Sequence, residues 1–145
     1  MTKRNLFYLF ALSLILISCG GEDAPQQNLD MSLEDRVNLM IEQNEYEAAL
    51  ELLSEKDQTD PEIALLREKT HLNYGLHSMT TFDQTEMRTR MNNALSQFTE
   101  VLRINPDNTV AREQIQQILD IYATIPDRSP EEDVMEGLRD VGFDQ

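Results

Sequence analysis

Met87, Met91, Ala94, Leu95, Phe98, Val101 and Leu102 recur at steps of three and four residues, which places all seven on one face of a helix. A strand would scatter them over both faces of a sheet, so the segment must be an amphipathic helix with something packed against it. Composition agrees. Leu, Ile, Met, Ala, Glu and Gln abound, Val is sparse, and 145 residues hold only 5 glycines and 5 prolines. That mixture favours helices over strands, and the expected fold class is all-α.

Local signals divide the rest of the chain into further helices. Ser32 and Asp35 form a capping-box-like pair ahead of Leu33, Val37, Met40 and Ile41 at helical spacing. A break near Asn44 opens a second helix carrying Tyr46, Ala49, Leu50 and Leu53. Asp60 followed by Pro61 is a start signal for a third, which runs to about Met79. Thr80 to Thr85 reads as a turn, with Asp83 a candidate cap. Asn105 and Pro106 end the striped helix, and Asp107 or Asn108 caps a fifth with Ile115, Ile118, Leu119 and Tyr122 inward. Ser129, Pro130 and Glu132 open a short sixth helix, with acid in the first turn where the macrodipole favours it, and Gly142 is the expected stop.

Hairpins with a proline after every second helix suggest a repeat. From Ala94 through Phe98 to Asn105, Pro106, Asp107 and Asn108 the chain sets a small residue, an aromatic and a proline in order, and Tyr46, Ala49, Leu53 and Pro61 do the same in the first hairpin. On these residues the chain resembles the tetratricopeptide repeat (TPR) family over residues 32–124, as two repeats and a lone closing helix. The resemblance implies antiparallel helix hairpins. Pro61 and Pro106 stand 45 residues apart, against a family period of about 34, so the second hairpin is expected to be longer and to protrude. His71 stands where the family keeps a small residue, which implies looser packing there. Because such arrays need about three units to bury a continuous core, the sixth helix or a partner is expected to cover an open face.

In the resembled family, first helices of successive repeats line a groove that holds an extended peptide or a partner helix. Carried over position by position, the groove consists of Glu34, Asn38, Ile41 and Glu42, then Leu65, Glu68 and Leu72, then Val110, Glu113, Gln117 and Asp120. These positions include no lysine or arginine, whereas family members that clamp a terminal carboxylate use basic residues there. The resemblance therefore implies a basic or neutral amphipathic partner; the alternative is that the charges only solvate one face.

The amino-terminal segment follows a different logic. Lys3 and Arg4 precede an apolar run from Leu6 to Ile17, and small residues follow, the three parts of a secretory signal in order. The run is too short for a transmembrane helix, which takes roughly twenty residues. Leu16, Ile17, Ser18 and Cys19 resemble the lipobox of bacterial lipoproteins. That resemblance implies a diacylglyceryl thioether on Cys19, cleavage before it, and acylation of the new amino terminus, a lasting anchor since each buried methylene contributes about 0.8 kcal/mol. The expected organisation is a signal at 1–18, a lipidated cysteine and tether at 19–31, the repeat domain at 32–124, and an acidic segment with a capping helix at 125–145. The tether, Gly20 to Asp30, spans on the order of 20 Å as a coil. Gly20 rather than aspartate follows Cys19, which implies the outer membrane of an envelope that has one.

Charge and side-chain chemistry exclude several functions. Loss of residues 1–18 with their two cations moves the formal net charge from −15 to −17, which argues against nucleic acid and against flat attachment to anionic lipid. Cys19 is the only cysteine, so an internal disulfide is impossible. His71 and His77 stand six residues apart, roughly 240° around a helix, and cannot chelate one metal. Glu68 and His71 share a face, but a carboxylate-bridged site needs a second such pair and none exists. No serine sits in a glycine-flanked elbow, and no glycine-rich loop follows a strand. Neither a metal nor a cofactor beyond the covalent lipid is expected, and no enzymatic activity. Met79 and Phe82 lie near the tip of the long hairpin, as an adaptable contact or, the favoured reading, as local packing. The expected role is a lipid-anchored scaffold or adaptor in the bacterial cell envelope, with a structural accessory subunit of an envelope assembly machine as the alternative.

Overall fold

A computed structural model describes residues 31–80 and 86–143; the expected signal, Cys19, the tether, Phe82 and Asp83 lie outside the described residues. Among those described, the chain is all-α, in the order α1 (Leu33–Glu42), α2 (Tyr46–Ser54), α3 (Pro61–Thr80), α4 (Met87–Ile104), α5 (Thr109–Ala123) and α6 (Glu132–Asp140).

Most boundaries have a local cause. Ser32 Oγ accepts from the Asp35 N–H at 3.1 Å and donates to its carboxylate at 2.7 Å. Asn44 takes φ +61°, a left-handed conformation that asparagine tolerates. The N–H groups of Asn44 and Glu45 thereby fold back onto the carbonyls of Ile41 and Met40 at 3.0 and 2.8 Å, closing α1 in a Schellman motif. Gln58 ends α2 by donating its amide to the carbonyls of Leu53 and Lys56 at 2.8 and 2.7 Å. Asp60 Oδ1 accepts from the Glu62 N–H at 2.8 Å beside Pro61 at the first position of α3. Asn108, not Asp107, caps α5, accepting from the Ala111 N–H at 2.9 Å. Gly142, at φ +89°, and Phe143 return their N–H groups to the carbonyls of Arg139 and Leu138 at 3.1 and 3.0 Å, a second Schellman motif.

The start of α6 differs from the sequence reading. Its N-cap is Glu131, and Ser129 and Pro130 lie before the helix. The reason is tertiary: Asn92 of α4 accepts the Glu131 N–H at 3.2 Å, a partner that local sequence does not reveal.

Buried side chains form two clusters. Val37, Leu53, Ile63 and Leu66 join α1, α2 and the first half of α3. Ala94, Leu95, Phe98, Val101, Leu102, Ala111, Ile115, Ile118, Leu119, Val134 and Leu138 join α4, α5 and α6, with Leu72, Leu76 and Met79 packed against them from the second half of α3. The 20-residue α3 is therefore the wall shared by both clusters. Its closest neighbour is the 18-residue α4, so the extra length between Pro61 and Pro106 lies in this pair. The two helices meet at Gly75, where a Cβ would fall 2.5 Å from the Phe98 ring. One member of the stripe departs from expectation: Met91 is half-buried against the core, but Met87, in the first turn of α4, is 37% exposed.

Besides the close approach of Gly75 to Phe98, α3 and α4 are joined by a polar ladder. His71 Nδ1 lies 2.7 Å from Gln97 Oε1; Gln97 donates to Asn93 Oδ1 at 3.2 Å, Asn93 to Ser78 Oγ at 2.8 Å, and Ser78 to the Tyr74 carbonyl at 2.9 Å. With Gln97 so oriented its oxygen can only accept, and Nδ1 carries the proton. At this position, where the resemblance implies looser packing, the imidazole is buried and its Nδ1 is hydrogen-bonded to Gln97. Burial pushes its pKa below the ordinary value, against opposing effects of the Gln97 hydrogen bond and Glu100, with Arg67 adding to the fall.

Candidate functional site

The eleven groove positions fall on α1, α3 and α5, and their surroundings separate them into three groups. Ile41 packs against the α1–α3 cluster and Leu72 against the α4–α6 cluster, so both face inward as structural contacts. Asn38 and Glu68 are half-buried and already partnered. Asn38 Oδ1 accepts from Lys69 Nζ at 2.7 Å. Glu68 Oε1 accepts from Asn105 and Asn108 at 2.9 and 2.8 Å, tying α3 to the turn between α4 and α5. The remaining positions, Glu34, Glu42, Leu65, Val110, Glu113, Gln117 and Asp120, are exposed.

Two properties of the exposed group bear on recognition. Leu65 is 64% and Val110 42% exposed, and their helices also carry exposed acids, Glu62 on α3 and Glu113 and Asp120 on α5. The acids on α5 are close-set: Glu113, Gln117 and Asp120 share a shallow depression with Gln116, Ile121 and Thr124, and Asp120 accepts from Gln116 at 2.8 Å. The face is not cation-free, however. Lys69 places an ammonium at its α1–α3 end, a residue that the position-by-position reading passed over because it lies beside, not on, the groove register.

No family model, curated protein or solved structure matches this chain. Its chemistry therefore rests on the side chains themselves. Among the described residues, no three of His, Cys, Asp and Glu come together in a way that could hold a metal ion, and no helix is long and apolar enough to cross a membrane. His71, the buried titratable group nearest the face, is engaged by Gln97. His77 lies 5.5 Å, centroid to centroid, from Tyr46, which itself stacks on Tyr74 at 5.0 Å, while Tyr74 donates to Glu47 at 2.9 Å. These aromatics join α2 to α3 and account for Tyr46 in the sequence pattern as a packing residue. The seven exposed groove positions are four carboxylates, one amide and two aliphatic side chains, distributed over α1, α3 and α5.

Proposed function

We propose that the protein is a lipid-anchored, TPR-like scaffold of the bacterial cell envelope that holds another envelope protein through a basic or neutral amphipathic segment. The observation behind this reading is the exposure of Leu65 on α3 and of Val110 on α5, together with the exposed acids Glu34 and Glu42 on α1 and Glu113 and Asp120 on α5. A partner helix or extended segment with apolar side chains flanked by Lys or Arg buries the first pair and complements the acids. Successive packing of α1 on α2, of both on α3, of α3 on α4 and of α4 on α5 supports the hairpin-repeat reading. The sixth helix packs on α4, and Leu65 and Val110 stay exposed. For the anchor, the support is the order of Lys3, Arg4, the apolar run and Leu16 to Cys19, with Cys19 acylated and the outer membrane the favoured surface. The role requires no catalysis.

Crosslinking in native membranes followed by mass spectrometry tests the proposal. Wild type is expected to yield a discrete partner. Cys19→Ser should lose it from the membrane fraction, and Glu113→Lys combined with Asp120→Lys should deplete it while lipidation persists. Glu68 is unsuitable for this test because it holds the α4–α5 turn. Absence of any partner from lipidated wild type would overturn the scaffold reading.

A further inference from the structure

A second recognition surface lies apart from Leu65 and Val110. Between the start of α4 and the end of α5 is a cleft of about 320 Å³ lined by Met87, Met91, Ile121, Tyr122, Ile125, Arg88 and Arg128. Met87 and Ile125 are 37% and 38% exposed, so with Leu65 and Val110 they make up the large hydrophobic side chains left in water among the described residues. The cleft size is at the lower end of small-molecule sites, about 300–1,000 Å³. Its apolar lining is aliphatic, thioether and, at Tyr122, aromatic, and methionine adapts to the shape of an alkyl guest.

Charge sets this cleft apart from the rest of the molecule. In a chain of net charge −15, its lining carries two guanidinium groups and, among the described residues, no carboxylate. No ion pair between described residues engages Arg88 or Arg128; the arginines so paired are Arg90, Arg103 and Arg139. Both guanidiniums lie near enough to the Tyr122 phenol to act on its ionisation, as does the Glu131 carboxylate with opposite sign, while burial has the largest effect and raises it. The arrangement combines apolar side chains with two exposed cationic ones.

We propose that this cleft binds a single-chain alkyl carboxylate, of the fatty-acid class, with its chain against Met87, Met91, Ile121 and Ile125 and its carboxylate on Arg88 and Arg128. Two features favour that occupant over a peptide carboxyl terminus. Guanidinium is a donor only, and it matches a carboxylate in a forked pair. Among the described lining side chains the Tyr122 hydroxyl is the one strong acceptor, the thioethers of Met87 and Met91 being weak ones, so peptide N–H groups entering the cleft would be poorly matched, at a cost in free energy.

Calorimetric titration of the full chain with decanoate, below the concentration at which it forms micelles, tests the proposal against an Arg88→Gln, Arg128→Gln double variant. Both arginines are exposed, so the variant is expected to keep the wild-type circular dichroism. The apolar run Leu6–Ile17 is common to both chains, and only the difference between them reports on the cleft. Wild type should show one saturable site that the variant weakens about tenfold or more, the scale set by losing charge-assisted hydrogen bonds. Methyl decanoate should bind wild type no better than the variant. A variant that binds decanoate as well as wild type, or a wild type with no saturable heat, overturns the proposal. So does tighter binding of a short peptide ending in leucine, which would assign the cleft to a polypeptide terminus.

Discussion

Gly75 and Phe98 show how one residue sets the spacing of the two longest helices. Inside a helix, replacing glycine by alanine ordinarily stabilises by about 0.5–1 kcal/mol. At Gly75 the new methyl would meet three atoms of the Phe98 ring between 2.5 and 2.9 Å, and that ring is fully buried, with no room to withdraw. Overpacking of this kind costs about 1–3 kcal/mol, which outweighs the propensity gain. Gly75→Ala is therefore expected to lower stability by about 1–2 kcal/mol in urea unfolding, and Phe98→Leu in the same chain should recover part of the loss. A higher urea midpoint for Gly75→Ala would refute the close-contact argument. Little in the sequence announces this position. A glycine between Tyr74 and Leu76 inside a helical pattern is a signal of close approach, but only the facing aromatic 23 residues on gives it meaning.

At the scale of elements, what was legible in the sequence is what is caused locally. Ser32, Asn44, Asp60 with Pro61, Asn108 and Gly142 each act on hydrogen-bond partners within a few residues, so residue type alone locates the ends they form. The long-range polar contacts were not legible. Asn92 sets the start of α6 from 39 residues away, and the groove register places Glu68 on a binding face although its carboxylate is spent on Asn105 and Asn108, 37 and 40 residues on. The same limit applies to Ile41 and Leu72: helical spacing identifies a face, but which neighbour covers it is a property of the assembled helices. Glu68 supplies the prediction at this scale. Glu68→Ala strands two amide donors and should cost about 1–3 kcal/mol, whereas Asn108→Ala also removes the α5 cap, a further 0.5–2 kcal/mol or about that. Because the two residues share one hydrogen bond, the double variant should cost less than the sum of the singles in denaturant unfolding. Strict additivity would mean that the Glu68 contact does not hold the turn.

The whole molecule is built unevenly. Eleven buried residues join α4 to α6, and four join α1 to the start of α3. With each fully buried large aliphatic side chain contributing about 1.5–3 kcal/mol, the carboxy-terminal cluster holds the greater share of the stability. α3 passes from one cluster to the other: Ile63 and Leu66 belong to the small one, while Leu72, Leu76 and Met79 pack on the large one, with Gly75 against Phe98 and the His71–Gln97–Asn93–Ser78 ladder alongside. The side chains that α1 and α2 contribute to a buried cluster lie in the small one, so these two helices are expected to open without α4 and α5. In native-state hydrogen exchange, amides of α1 and α2 should exchange through an opening at least about 2 kcal/mol less costly than that governing α4 and α5. Leu53→Ala, a cavity in the small cluster, should lower protection in α1 and α2 and leave α4 and α5 nearly unchanged. Leu138→Ala should lower protection in α4 and α5, since Leu138 is fully buried against them. If every helix instead exchanges at one free energy, and both variants shift that value together, the continuous α3 couples the two clusters into one cooperative unit.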